Sequence, residues 1–285
     1  MNWKKLQNGS DIRGVALEGI EGEHVNLTPE VIETIAKSFV RWIRNNSDCE
    51  TPTIAVGMDC RLSGSSIKSA FVKGAVEAGA NVVDCGLAST PAMFMTTISE
   101  HVKATASVMV TASHLPFNRN GLKFFTPKGG LDSKDIASIL TIAENGEFAF
   151  EGAKGSSSTL DFMDIYSRHI ADYIREGVNA DDYQHPLKGM HIIVDAGNGN
   201  GGFFEKILSM LGADTKGSQF LDPDGRFPNH IPNPEDREAM ASVCKAVEES
   251  DADLGVIFDT DVDRSAIIGR KGEPMKRNSL IGLIS

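Results

Sequence analysis

The chain has 285 residues, 41% hydrophobic and 24% charged, a balance that suits a folded protein of two or more domains and excludes a disordered one. Its formal net charge of −11, with no basic cluster beyond Lys271–Arg277, argues against nucleic acid or an anionic membrane as main partner but leaves room for a locally positive site. No apolar run approaches the ~20 residues that cross a bilayer, Met1–Leu6 lacks the apolar stretch of a signal peptide, and Cys49, Cys60, Cys85 and Cys244 form no C-x-x-C pair, so free thiols and a cytoplasmic location are expected.

In chain order, the first strand signal is Thr53–Met58, which is short, partly β-branched and bounded by Pro52 and Asp59. Residues 65–78 carry Ile67, Phe71, Val72, Ala75 and Val76 at helical spacing, and Gly79 closes that helix. Asn81–Cys85 predicts a second strand, and Thr90-Pro91 a helix start with proline at its first position. Ala106–Val110 predicts a third strand that runs into Thr111-Ala112-Ser113-His114. Residues 152–158 are small and of linker character. The pattern then recurs: a strand at His191–Val194, a loop at Gly197–Gly202, and a helix at Phe203–Leu211 closed by Gly212. A helix over Pro234–Ser250 and a strand at Leu254–Phe258 follow, the strand leading into Asp259.

Strands alternating with helices predict an α/β fold of tandem similar domains, with mixed, largely parallel sheets covered by helices. The expected boundaries give domains at residues 1–153 and 154–264, with the start of a third at 265–285. In such sheets ligands collect in loops beyond the carboxyl ends of the strands. Ser113 and the Asp259 cluster both fall there.

Asp259-Thr260-Asp261-Val262-Asp263-Arg264 is the sharpest chemical signal. Three carboxylates this close repel one another unless solvated or joined by a hard, oxygen-seeking cation. An EF-hand loop fails, because its sixth and twelfth positions would be Arg264 and Arg270 rather than glycine and an acid. An aspartyl-phosphate phosphatase of the haloacid dehalogenase type also places D-x-D after a strand and stays open, with Asp259 as nucleophile. Ser113, at a strand-to-loop corner beside His114, is either a nucleophile or part of an ordinary turn. Asn120-Gly121-Leu122-Lys123 offers a glycine turn and a cation for phosphate or proton exchange. Arg13, beside Gly14, could hold a phosphate bidentately. Both its run, Asp11–Gly14, and Asp59-Cys60-Arg61-Leu62-Ser63-Gly64 also read as surface turns. Gly197–Gly202 satisfies G-x-G-x-x-G, but only Asp214 and Asp222 loosely supply the acid a dinucleotide site needs, so turns held by Asn198 and Asn200 are expected.

Together these runs resemble the α-D-phosphohexomutase superfamily, which includes phosphomannomutase, phosphoglucomutase and phosphoglucosamine mutase. Asp11–Gly14 is similar to its D-x-R-G, Thr111–Pro116 to its phosphoserine loop T-A-S-H-N-P, Asn120–Lys123 to N-G-x-K, and Asp259–Arg264 to its metal loop D-x-D-x-D-R. Phe227–Glu235 is similar to a further recurrent segment. The resemblance implies that Ser113 carries a phosphoryl group, and that Asp259, Asp261 and Asp263 hold Mg²⁺ together with it. It implies that Arg13, His114, Lys123 and Arg264 line the transfer site, with Lys123 or His114 as proton shuttle. The implied substrate is a phosphorylated hexose, with a hexose 1,6-bisphosphate as intermediate and activator.

Two departures matter. Leu115 stands where the family has Asn, and the chain stops early in the third of four domains, before the sugar-recognition and distal phosphate loops. Mutase turnover by this portion alone is therefore expected to be slight. Gly272-Glu273-Pro274-Met275 reads as a hairpin turn rather than the sugar loop. A non-catalytic remnant that self-associates through the apolar Leu280–Ile284 is the remaining alternative.

Overall fold

The computed structural model describes residues 1–284 and divides into two compact units, Met1–Phe162 and a second that begins at Met163. After a 3₁₀ turn at Trp3–Leu6, the first unit comprises β1 (Gln7–Asn8), β2 (Asp11–Val15), α1 (Pro29–Asn46), β3 (Thr53–Met58), α2 (Gly64–Glu77) and β4 (Asn81–Leu87). It continues with α3 (Thr90–Met95), β5 (Ala106–Val110), β6 (Arg119–Thr126), β7 (Gly129–Gly130), α4 (Ser133–Asn145) and β8 (Ser157–Thr159). Then come α5 (Phe162–Val178), β9 (Ile192–Asp195), α6 (Phe203–Met210), α7 (Arg237–Ser250), β10 (Leu254–Phe258), β11 (Ser265–Gly269), β12 (Glu273–Pro274) and α8 (Arg277–Ile284).

The first sheet has the order β1-β2-β6-β5-β3-β4-β8, with β7 paired to β6. β3 runs parallel to β4 and β5, and β4 parallel to β8, while β5–β6, β6–β2 and β2–β1 are antiparallel. Helix α1 starts at Thr28, whose side chain accepts from the Val31 N–H, and has Pro29 at its first turn. It buries Ile32, Ile35, Ala36, Phe39, Val40 and Ile43, the stripe that a 3.6-residue period puts on one face. Phe39 meets Phe124 of β6 at a ring-centroid distance of 4.6 Å, and Val56 and Val108 join the same core. On the alternate face, Ser107 Oγ donates to the Met93 carbonyl of α3 at 2.6 Å. Helices thus cover both faces, as the fold class requires.

The second sheet has the order β12-β11-β10-β9, with β9 and β10 parallel and the rest antiparallel. Ile193 and Ile257 pack with Ala239, Val243 and Val247 of α7, while Ile192, Val194 and Phe258 pack with Ile207 and Leu208 of α6 and Ala171 of α5. That alternation is the period-two signature of strands buried on both faces.

Four expectations change. The first unit runs to Phe162 rather than 153, because Ser157–Thr159 leaves the small-residue stretch to pair with Val82–Asp84. Residues 265–274 do not begin a new domain but complete the second sheet, β11 pairing with β10 and β12 with β11. Arg270–Gly272 makes the hairpin between β11 and β12, and Ser285, the last residue of the expected third-domain segment, lies outside the described residues. Helix α7 begins at Arg237 rather than Pro234, where Asp236 accepts from the Glu238 and Ala239 N–H groups. Asp11–Gly14 and Asn120–Lys123 are not turns but lie within the paired strands β2 and β6.

Candidate functional site

Strands β3 and β5 lie side by side and end together, so the loops that follow them are neighbours: the Asp59 N–H donates to the Val110 carbonyl at 3.0 Å. The β5 loop holds Ser113, which is 5% exposed and has φ +53°, the left-handed region that non-glycine residues rarely enter. The Thr111 hydroxyl accepts from the Ser113 N–H at 2.8 Å and helps hold that conformation. His114 Nδ1 lies 3.4 Å from Ser113 Oγ, within reach for proton exchange as the side chains adjust.

Arg13 and Lys123 stand on the adjoining strands β2 and β6 and share one carboxylate. Asp11 accepts from Arg13 at 2.7 and 3.2 Å and lies 3.9 Å from Lys123 Nζ. All three side chains are largely buried, and two cations stand against this one carboxylate. Gly121 permits this arrangement: a Cβ there would stand 2.2 Å from the Ile12 carbonyl and 3.1 Å from that of Thr111. Asn120 is fully buried and donates to Ser63 Oγ at 2.8 Å. The Asp59–Gly64 run is therefore no surface turn. Asp59 and Arg61 form an ion pair at 3.3 Å with 0% side-chain exposure on both partners.

In the second unit, β9 and β10 also end together, and their loops touch: the Asn200 N–H donates to the Thr260 carbonyl at 2.9 Å. Asp259–Arg264 is the tight connection between β10 and β11, closed by Asp259 N–H to Arg264 carbonyl at 3.1 Å. Val262 adopts φ +65° within it, an outlier for a β-branched residue. One carboxylate oxygen each from Asp259, Asp261 and Asp263 lies within 4.8 Å of the others. Burial, and then the charges of Asp261 and Asp263, push the Asp259 carboxyl up to about 7 against the pull of Arg264. An all-oxygen donor set of this spacing, with one carboxyl driven toward protonation, fits a small hard cation such as Mg²⁺. Arg264 donates to Asp259 at 2.6 and 3.1 Å and to Asn233 Oδ1 at 3.3 Å, which anchors its guanidinium beside the cluster.

The glycine-rich loop Gly197–Gly202 serves that connection. A Cβ on Gly199 would meet Thr260 Cα at 2.9 Å, and Asn198 donates to the Asp222 carbonyl while accepting from Asn229 at 2.7 Å. Those bonds tie the loop to residues 222 and 229 rather than holding a local turn. A buried pair absent from the sequence reading lies below: His230 Nε2 meets both Asp195 oxygens at 3.0 and 3.1 Å, and its Nδ1 meets the Ile231 carbonyl at 3.0 Å. The signal for it was the run Phe227–Glu235, which carries His230 and Asn233 together.

Each of the two α/β units carries polar loops at the carboxyl ends of adjacent parallel strands, the place where ligands collect in such folds. Residues 4–150 match the model of phosphoglucomutase/phosphomannomutase α/β/α domain I, and residues 165–272 match that of domain II. The chain belongs to the phosphoglucomutase/phosphomannomutase family. It is 32% identical over 263 residues to a phosphoglucomutase of Neisseria meningitidis serogroup B, covering 92% of this chain and 52% of that one. It is 34% identical over 278 residues to a phosphomannomutase of Salmonella typhimurium, covering 94% and 57% respectively. The crystal structure of a phosphoglucomutase/phosphomannomutase family protein from Burkholderia thailandensis superposes with a TM-score of 0.82 at 26% identity, covering 99% of this chain and 58% of that one. The chain thus spans little more than half the length of these relatives. No helix among the described residues is long and apolar enough to cross a membrane.

Proposed function

We propose that the chain carries the phosphoryl-bearing and cation-holding parts of a phosphohexomutase that acts on hexose phosphates. The observation that carries this reading is Ser113, a buried serine held in a left-handed turn with His114 3.4 Å from its hydroxyl. In the proposed half-reaction the bond from Ser113 Oγ to phosphorus forms as a sugar oxygen–phosphorus bond of a hexose 1,6-bisphosphate breaks. The hydroxyl proton passes to His114 and on to the departing sugar oxygen, or Lys123 first gives a proton to that oxygen and then takes the hydroxyl proton in its place, leaving a hexose monophosphate. Arg13 and Lys123 offset the charge of the moving group; phosphoryl transfer needs alignment and neutralisation more than covalent help. Asp259, Asp261 and Asp263 would hold Mg²⁺, which when bound supplies further neutralisation of phosphoryl oxygens. Reversal with the phosphate at the other sugar position makes the cycle a mutase.

The phosphatase alternative needs Asp259 as a free nucleophile. Its oxygens instead accept from the Arg264 side chain and backbone N–H. The test is a half-reaction assay with glucose 1,6-bisphosphate and Mg²⁺. One hexose monophosphate released per chain, abolished by Ser113→Ala, is the expected result; undiminished release from Ser113→Ala would refute the reading.

A further inference from the structure

The Asp59–Gly64 loop has no part in the chemistry above, yet it buries a full positive charge beneath the serine loop. A buried guanidinium is costly unless its donors are satisfied. Arg61 satisfies them in an unusual way. Its NH2 group donates to the carbonyls of Ser113 at 2.5 Å and Leu115 at 2.6 Å, and its NH1 group to those of Pro116 at 2.8 Å and Arg119 at 3.2 Å. Three of the four carbonyls belong to the irregular segment that follows β5, and the fourth, Arg119, opens β6. The Pro116 carbonyl also accepts from the Arg119 N–H at 3.0 Å, so Arg61 adds a charged donor to that turn and draws the Ser113 and Leu115 carbonyls to the same guanidinium.

The guanidinium is itself anchored from below. Asp59 pairs with its Nε, the Arg61 N–H donates to Asp59 Oδ1 at 3.0 Å, and the Gly64 N–H donates to the Arg61 carbonyl at 2.8 Å. Ser63 accepts from Asn120 of β6, which fixes the far end of the loop to the strand that carries Lys123. We infer that Arg61 is the positioning residue of the serine loop, a template on which the carbonyls of residues 113–119 are gathered so that Ser113 keeps its left-handed backbone. Lysine cannot take its place, because three donors on a point charge do not match carbonyls spread over a planar fork. The consequence for phosphoryl transfer rests on the function proposed for Ser113; the loop-holding role does not.

The test uses the whole chain with Arg61→Lys, read by hydrogen–deuterium exchange of peptides covering residues 111–119, by thermal melting, and by the rate of Ser113 phosphorylation from glucose 1,6-bisphosphate. Loss of charge-assisted bonds predicts exchange faster by about tenfold or more in that segment alone, and a similar drop in phosphorylation rate, with a cooperative melt and unchanged Mg²⁺ titration. Exchange and rate within about twofold of the parent, the size of effect expected from no lost bond, would overturn the inference. So would faster exchange spread evenly through the first unit, the mark of a merely structural role. If Arg61→Lys does not fold, Asp59→Asn/Arg61→Met removes both buried charges and is read by the same exchange. If the parent chain takes up no phosphate, the reading of Ser113 fails while the exchange arm still decides the role of Arg61.

Discussion

Burial disfavours a charged ring at His230, yet the hydrogen bond and charge of Asp195 outweigh it and raise the pKa above the ordinary 6.5. Both ring nitrogens face acceptors, Asp195 and the Ile231 carbonyl, as an imidazolium requires. Because the folded value is raised, the pair's contribution to stability is fully present below about 6.5 and is lost as pH rises through the higher folded value. An NMR titration should place His230 above 6.5, and Asp195→Asn should lower it, since only the Ile231 carbonyl and the Asp236 charge then oppose burial; a value that does not move contradicts the pairing. At Gly121 a methyl group would collide with the Ile12 carbonyl, so Gly121→Ala should cost about 1–3 kcal/mol in chemical denaturation. Ser113, Lys123 and the three aspartates were legible in the sequence because each sits in a short contiguous motif. Arg61 and the Asp195–His230 pair were not, because their partners lie 52 to 58 and 35 residues away, and burial alone turns a polar turn into a structural hub.

Among the elements, β3, β5 and β10 occupy the residues their apolar, β-branched runs indicate, because a strand buried on both faces needs little else. Strands β2 and β6 escaped that reading. Asp11, Arg13 and Lys123 interrupt their hydrophobicity, and these are the side chains they deliver to the site. Helix α4 shows how local signals secure an element: Asp132 accepts from the Lys134 and Asp135 N–H groups, Asp135 returns a bond to the Asp132 N–H, and Gly146 closes the helix at φ +70°. Asp132→Ala removes this box and should lower stability by about 1 kcal/mol, visible as a lower melting midpoint of the first unit.

For the whole molecule, the family's α/β/α domains I and II are present, and each builds its loops where parallel strands end. If the acidic loop holds a cation, Mg²⁺ at a hundredfold over its dissociation constant should stabilise the second unit by about 2.7 kcal/mol, and Asp261→Asn should abolish most of that gain. Because the Asp259 carboxyl lies at about 7, the cation competes with a proton, and apparent affinity in a calorimetric titration should weaken as pH falls below that value. The same raised value means that the site's own contribution to stability is fully present below about 3.8 and is lost as pH rises through about 7, the loss that a bound cation offsets.

The most direct measurement is the chemistry of the protein–phosphate bond after incubation with glucose 1,6-bisphosphate and Mg²⁺. One phosphoryl group per chain, stable to acid and mapping to Ser113, is the expected result. An acid-labile, hydroxylamine-sensitive phosphate on Asp259 would contradict it.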